Sequence, residues 1–310
     1  MSKASICIPT HNRPGFLKKA IESALMQDFN DFDIVISDNS TNIDSKNLVS
    51  AFGSEKIKYF KVNSSTSAVS NQNNSLRKSQ SKYLTILADD DYLNKRYLST
   101  MIKVAETNNV GLVRSAGYFV DVDENIIGKW GGFPKIEDCS SFVSSRLRGL
   151  FWSGISGYLF SKECYLDTEG IVNVGFQGAL YTDDYFWFSL AKRSKIVAST
   201  NRKLLYWRKH PNNVGSNIDL DDFLSNTENY ILLLLNLFNR DEDKKIRDYL
   251  LNSENEMLLY YFSILIRINI EIKKSSSLFE TKQLRLYKKY LYFKLMELRT
   301  RLHKSMFTSD

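Results

Sequence analysis

The chain has 310 residues, 42 Lys and Arg against 35 Asp and Glu, and a formal net charge of +7. With 43% hydrophobic and 25% charged residues it has a folded globular composition, which excludes wholesale disorder, while 14 glycines and 4 prolines exclude collagen-like or low-complexity architecture. Three widely spaced cysteines, Cys7, Cys139 and Cys164, support neither a disulfide framework nor a thiolate zinc site, and they suit a reducing cytoplasm.

In chain order, Ala4–Ile8 reads as a buried strand and Pro9–Arg13 as the loop after it. Pro14 stands where a first helical turn tolerates proline, and Phe16–Met26 has helical apolar spacing. Asp33–Ser37 and Ile57–Val62 predict further strands, Ser67–Lys78 a helix, and Tyr83–Leu87 a fourth strand running into Asp89, Asp90 and Asp91. This alternation predicts an α/β fold with a mostly parallel sheet covered by helices on both faces. Ligands of such sheets bind at the carboxyl ends of the strands, where Thr10–Arg13, Asp38–Ser40 and Asp89–Asp91 fall. Val113–Arg208 is mixed, with strand candidates at Gly117–Asp121, Ile155–Phe160 and Leu204–Arg208 and a helix at Asp183–Arg193. A boundary is expected in the His210–Asn217 loop. Helical patterning then runs on from Asp219, with Leu232, Leu235 and Phe238 sharing one face and Leu284, Tyr287, Leu291 and Leu295 another.

The charge is unevenly placed. Residues 240–304 carry 15 Lys and Arg against 9 Asp and Glu, while residues 1–239 are nearly balanced at 27 against 25. Within 273–304 the cations interleave with Leu, Tyr and Phe, a pattern that suits an anionic membrane surface. It suits equally a helix packed on the rest of the chain or on a second copy. No recognition motif accompanies these cations, so a nucleic-acid partner is not expected. No apolar run reaches the roughly 18 residues of a spanning helix, and the opening MSKASICIPTHN is too short an apolar run for a signal peptide.

Three adjacent carboxylates after a buried strand repel one another unless a cation or donors neutralise them, and Mg²⁺-type ions bridge such clusters to phosphates. The same triplet is also what a solvated acidic turn looks like. Asp183 and Asp184, before the aromatic run YFWFSLA, read as a general base or as helix caps. His210, after Arg208 and Lys209, reads as a diphosphate or metal contact or as a structural hydrogen-bonder.

The order of these signals is more informative than any one of them. SICIPTHNR, Asp38-Asn39-Ser40, Leu87-Ala88-Asp89-Asp90-Asp91, Thr182-Asp183-Asp184 and Trp207-Arg208-Lys209-His210-Pro211 form a series that resembles the family 2 glycosyltransferases of the GT-A fold over residues 3–217. The resemblance implies a GT-A catalytic domain over 1–217, with a nucleotide-sugar half to about 112 and an acceptor half beyond it, followed by a helical extension over 218–310. It implies nucleotide contacts at Pro9, Thr10, Asn12, Arg13, Asp38, Asn73, Asp89 and Arg208. Metal contacts are implied at Asp90, Asp91 and His210, with Mn²⁺ or Mg²⁺ as cofactor, and the catalytic base at Asp183 with Asp184 as its rival. The implied reaction is inverting transfer from a nucleotide-sugar, UDP-linked, to a glycan, polyol-phosphate or lipid-linked acceptor of a bacterial surface polymer. The implied place is the cytoplasm or the inner face of the cell membrane. Ala88, Thr182 and Gln72 depart from the family's pattern, and they leave open a silent nucleotide-sugar-binding or membrane scaffold.

Overall fold

A computed structural model describes residues 1–174, 181–210, 213 and 220–252. The expected face through Leu284 and the basic arm at 273–304 lie outside them, as does most of the proposed boundary loop.

The first third alternates strand and helix: β1 (Ala4–Thr10), α1 (Pro14–Leu25), β2 (Phe32–Asp38), α2 (Asp44–Phe52), β3 (Ile57–Lys61), α3 (Ala68–Lys78) and β4 (Tyr83–Ile86). Local chemistry sets these ends. Pro14 opens α1, Gly53 at φ 57° closes α2 in the left-handed region, and the Ser67 hydroxyl accepts the Ser70 N–H to cap α3. Next come β5 (Tyr92–Leu93), α4 (Tyr97–Asn108), β6 (Leu112–Val120), β7 (Ile126–Trp130), β8 (Ile136–Asp138), α5 (Cys139–Leu147), β9 (Tyr158–Ser161) and α6 (Lys162–Leu166). The described chain ends with α7 (Thr182–Ser194), β10 (Ile196–Arg208), α8 (Leu220–Leu237) and α9 (Lys244–Asn252).

One sheet carries the order β3-β2-β1-β4-β9-β6-β10-β5, with β7 beside β6 and β8 beside β10. The pairs β3–β2, β2–β1, β1–β4 and β6–β10 are parallel, as expected. β9 instead runs antiparallel between β4 and β6, so the sheet is mixed beyond β4. Both faces of the central strands are buried. Along β1 and β2, Ile6, Ile8, Ile34 and Ile36 meet α1 and α4, while Cys7 and Val35 face the core shared with α3, α5 and α7. Tyr230, Ile231 and Leu234 of α8, Phe238 just after it, and Ile246 and Leu250 of α9 belong to that second core. Among the described residues no helix is long and apolar enough to cross a membrane.

Candidate active site

β1 and β4 part company before β1 ends. Their register stops at Cys7 and Ile86, with a last bond from the Leu87 N–H to the Cys7 carbonyl. Cys7 faces β4, so the peptide of Pro9, two residues on, faces the side where β4 has ended. A residue without an N–H costs no ladder bond there. The gap is the switch point of the sheet, since β2 and β3 lie on one side and β4 on the other.

Side chains from three strand ends converge on this gap. The Thr10 hydroxyl donates to Asp89 Oδ2 at 2.7 Å. Arg13, at the start of α1, donates to Asp90 Oδ2 at 3.1 Å and Asp89 Oδ1 at 3.5 Å. His210 Nε2 lies 3.0 Å from Asp90 Oδ2, and its ring stacks on Phe16 at 5.0 Å. Burial, and then the charge of Asp90, push the Asp89 carboxyl up to about 6 against the opposing effects of Thr10 and Arg13. A cleft of about 540 Å³ opens beside the cluster, lined by Arg13, Phe16, Lys19, Val122, Glu124 and Arg208, a size suited to a small ligand.

Other expected site residues are committed elsewhere. Asp38 is fully buried, and its carboxylate accepts from the Ser40 N–H at 2.7 Å, the Tyr59 hydroxyl at 2.5 Å and Lys61 at 3.3 Å. Burial opposes its charge, but these donors outweigh burial and hold its carboxyl below the usual range. Asn73 lies away from the cluster: its amide donates to the Ile171 carbonyl at 2.7 Å and accepts the Ile171 N–H at 2.9 Å. Asp91 points inward and accepts the Arg208 N–H at 3.1 Å. Burial and the Asp90 charge raise its carboxyl well above the usual range, so it braces β10 while Asp90 faces His210. Asn12, at φ 54°, ties the loop after β1 to the loop after β2 by accepting the Thr41 N–H at 2.9 Å. The Arg208 guanidinium lines the cleft while donating to the Asp90 carbonyl at 3.0 Å, the Val122 carbonyl at 3.2 Å and Glu124 at 3.3 Å.

The acidic pair on α7 divides sharply. Asp184 is buried and accepts from Arg146 Nε at 2.8 Å, a structural ion pair. Asp183 is half-buried, and its carboxylate accepts no hydrogen bond among the described residues. Burial and the neighbouring Asp184 charge push it up to about 7, with Arg146 opposing. A carboxylate that titrates near neutrality and has no partner among the described residues suits proton transfer, and the ion-paired Asp184 does not.

Some contributors carry little sequence signal. Asn71, buried on α3, donates to the Thr10 carbonyl at 3.1 Å and Asn39 Oδ1 at 3.0 Å, pinning the ends of β1 and β2 together. Its phase on α3, sheet-side within a polar run, is the one hint available. The loop before β9 joins the two parts of the site: Ser156 Oγ accepts the Ala88 N–H at 3.0 Å, and the Gly154 carbonyl accepts the Trp187 indole N–H at 2.9 Å. Arg146 and Ser156 sit far from their partners in sequence, and no spacing rule connects them.

The family model for glycosyl transferase family 2 matches residues 5–148. The chain is 32% identical over 161 residues to the GalNAc(5)-diNAcBac-PP-undecaprenol beta-1,3-glucosyltransferase of Campylobacter jejuni, a match covering 49% of this chain and about half, 51%, of that protein. It is 24% identical over 217 residues to the Escherichia coli UDP-Glc:alpha-D-GlcNAc-diphosphoundecaprenol beta-1,3-glucosyltransferase WfaP, covering 70% and 81%. The fold is similar to that of Staphylococcus aureus TarS 1–349 in complex with UDP-GlcNAc, with a TM-score of 0.65, 16% identity, and 81% and 72% of the two chains covered.

Proposed function

We propose that this chain is a family 2 glycosyltransferase, a family whose model matches residues 5–148, and that it moves a sugar from a UDP-linked donor to a hydroxyl of a glycan, polyol-phosphate or lipid-linked acceptor, with inversion. The observation that carries this reading is the meeting of Thr10, Asp89, Asp90 and His210 at the switch point, with Asp183, which has no partner among the described residues, on a separate helix. The names of two relatives, which carry undecaprenol-diphosphate-linked saccharides as acceptors, support an acceptor glycan on a diphospholipid.

Among the described residues no group of three His, Cys, Asp or Glu side chains could hold a metal ion alone. Asp90 and His210 nonetheless present an oxygen and a nitrogen 3.0 Å apart. That pair fits a Mn²⁺ or Mg²⁺ shared with the donor's phosphates, since such ions need only one or two protein ligands beside a diphosphate. Bound there, the ion would supply charge neutralisation to the leaving diphosphate. Arg13 adds a cation beside the same carboxylates, and Thr10 orients Asp89. Asp183 takes the proton of the acceptor hydroxyl as it attacks, while the Asp184–Arg146 pair fixes the start of α7. A base on its own helix suits inversion, which needs attack from the face opposite the leaving group.

The test is a thermal-shift panel of nucleotide-sugars with and without Mn²⁺, followed by transfer from whichever donor binds. A true donor raises Tm with concentration, and more so with metal. If no nucleotide-sugar raises Tm in either condition, the reading is lost.

A further inference from the structure

Four aromatic side chains gather in one cluster: Phe119 of β6, Trp130 of β7, Trp152 of the loop before β9, and Trp207 of β10. Ring centroids are 4.7 Å apart for Phe119–Trp130, 4.6 Å for Trp130–Trp152 and 5.3 Å for Trp152–Trp207. All four are only half-buried. Two glycines make room for the indoles. A Cβ at Gly117 would stand 2.3 Å from Trp130 Cζ2, and one at Gly154 2.8 Å from Trp152 Cη2. Neither glycine has a left-handed φ, so space rather than backbone freedom calls for glycine there.

The indole N–H groups complete the picture. Trp187, in the core, has its N–H satisfied by the Gly154 carbonyl. Those of Trp130, Trp152 and Trp207 have no protein partner among the described residues, and none is a buried unsatisfied donor. The cluster therefore offers flat apolar faces edged by water-facing donors. Its position is equally specific. Trp207 and Arg208 are successive on β10, so the indole leaves the sheet on the face opposite the Arg208 guanidinium that lines the cleft, and Trp152 lies two residues before Gly154, which α7, the helix of Asp183, holds in place.

We propose that this cluster is the acceptor subsite, a platform on which a sugar ring of the acceptor glycan lies flat. A pyranose has an apolar C–H face and a rim of hydroxyl oxygens, which complement an indole face and an indole N–H respectively. The proposal rests on the transferase reading above and adds where, and through what chemistry, the acceptor is held.

Indole ¹H–¹⁵N spectra of the full chain test it, because the four tryptophans give four signals. The chain is titrated first with UDP plus Mn²⁺, then with chitobiose, cellobiose and N-acetyllactosamine. We expect at least one saccharide to move the signals of Trp130, Trp152 and Trp207 and to leave Trp187 in place. Trp152→Ala should weaken that binding at least tenfold, with Trp152→Phe intermediate and the UDP titration unchanged in both. If UDP binds while no saccharide moves the three signals, or only polyprenyl phosphate does, the platform is overturned and the transferase reading stands. If UDP and the nucleotide-sugars fail to bind at all, the transferase reading itself falls.

Discussion

The two sides of the site are built on opposite plans. On the proposed donor side, Thr10, Arg13, Asp89, Asp90, Arg208 and His210 bond to one another or to nearby backbone. On the proposed acceptor side, the carboxylate of Asp183 has no hydrogen-bond partner among the described residues, and the proposed sugar platform is aromatic. The difference follows from what each side handles. A diphosphate is a fixed, strongly charged group that a preorganised polar web can match. A base must keep a proton affinity near that of its surroundings, and a partnered carboxylate would have lost it.

Substitutions on each side should therefore fail in different ways. The largest expected effect is at Asp183. Asp183→Asn should lower turnover about 10²–10⁴-fold with donor binding unchanged, measured by steady-state transfer beside the donor thermal shift. The wild-type rate should rise with pH through about 7 as Asp183 loses its proton. The folded state holds that proton more tightly than the unfolded chain does. Stability associated with this group is thus present at low pH and lost as pH rises toward 7. Asp183→Asn should accordingly raise Tm at pH 8 and flatten its dependence on pH. Equal loss of activity and stability in this variant would erase the contrast between the two sides.

One residue along, Asp184→Asn should behave oppositely. Removing one partner of its buried pair with Arg146 should cost about 3–5 kcal/mol, read by denaturant melts, with activity lost only as the fold is lost. On the donor side, His210→Ala should weaken nucleotide-sugar binding about 10–100-fold and reduce its response to Mn²⁺, read by calorimetry with and without EDTA. The smallest effect is expected at Asn73. Asn73→Ala strips both bonds from the Ile171 backbone and should cost about 1–3 kcal/mol, while the KM for donor stays within twofold. A large donor defect in that variant would return Asn73 to the nucleotide site.

The contrast also explains what could be read in the chain. The β1–β4 elements and the helices at Pro14 and Ser67 were legible because their patterns are local: short apolar runs, a proline at the first turn, a serine cap. The motif order placed Thr10, Asp89, Asp90 and His210 correctly at strand ends. What it did not convey is the direction in which each carboxylate points. Asp38, Asp91 and Asp184 turn inward to Tyr59, the Arg208 N–H and Arg146, partners between 21 and 117 residues away that only the finished sheet brings close. The short strands β5, β7 and β8 and the antiparallel insertion of β9 escaped for the same reason, since pairing rather than propensity makes them strands. The aromatic cluster was equally hidden, because its four members come from four separate segments.

The loop from Leu150 to Gly157 has a further consequence, for exchanging parts between related chains. Ser156 grips the backbone beside the aspartate triplet, and the Gly154 carbonyl grips α7, the helix of the proposed base. The loop acts as a ruler that sets how far apart the triplet and the proposed base stand. A graft joined upstream of this loop imports ruler and base together and keeps their separation, whereas a junction inside it pairs one parent's spacing with the other's chemistry. Differences in acceptor among related chains should therefore travel with this short stretch as a block.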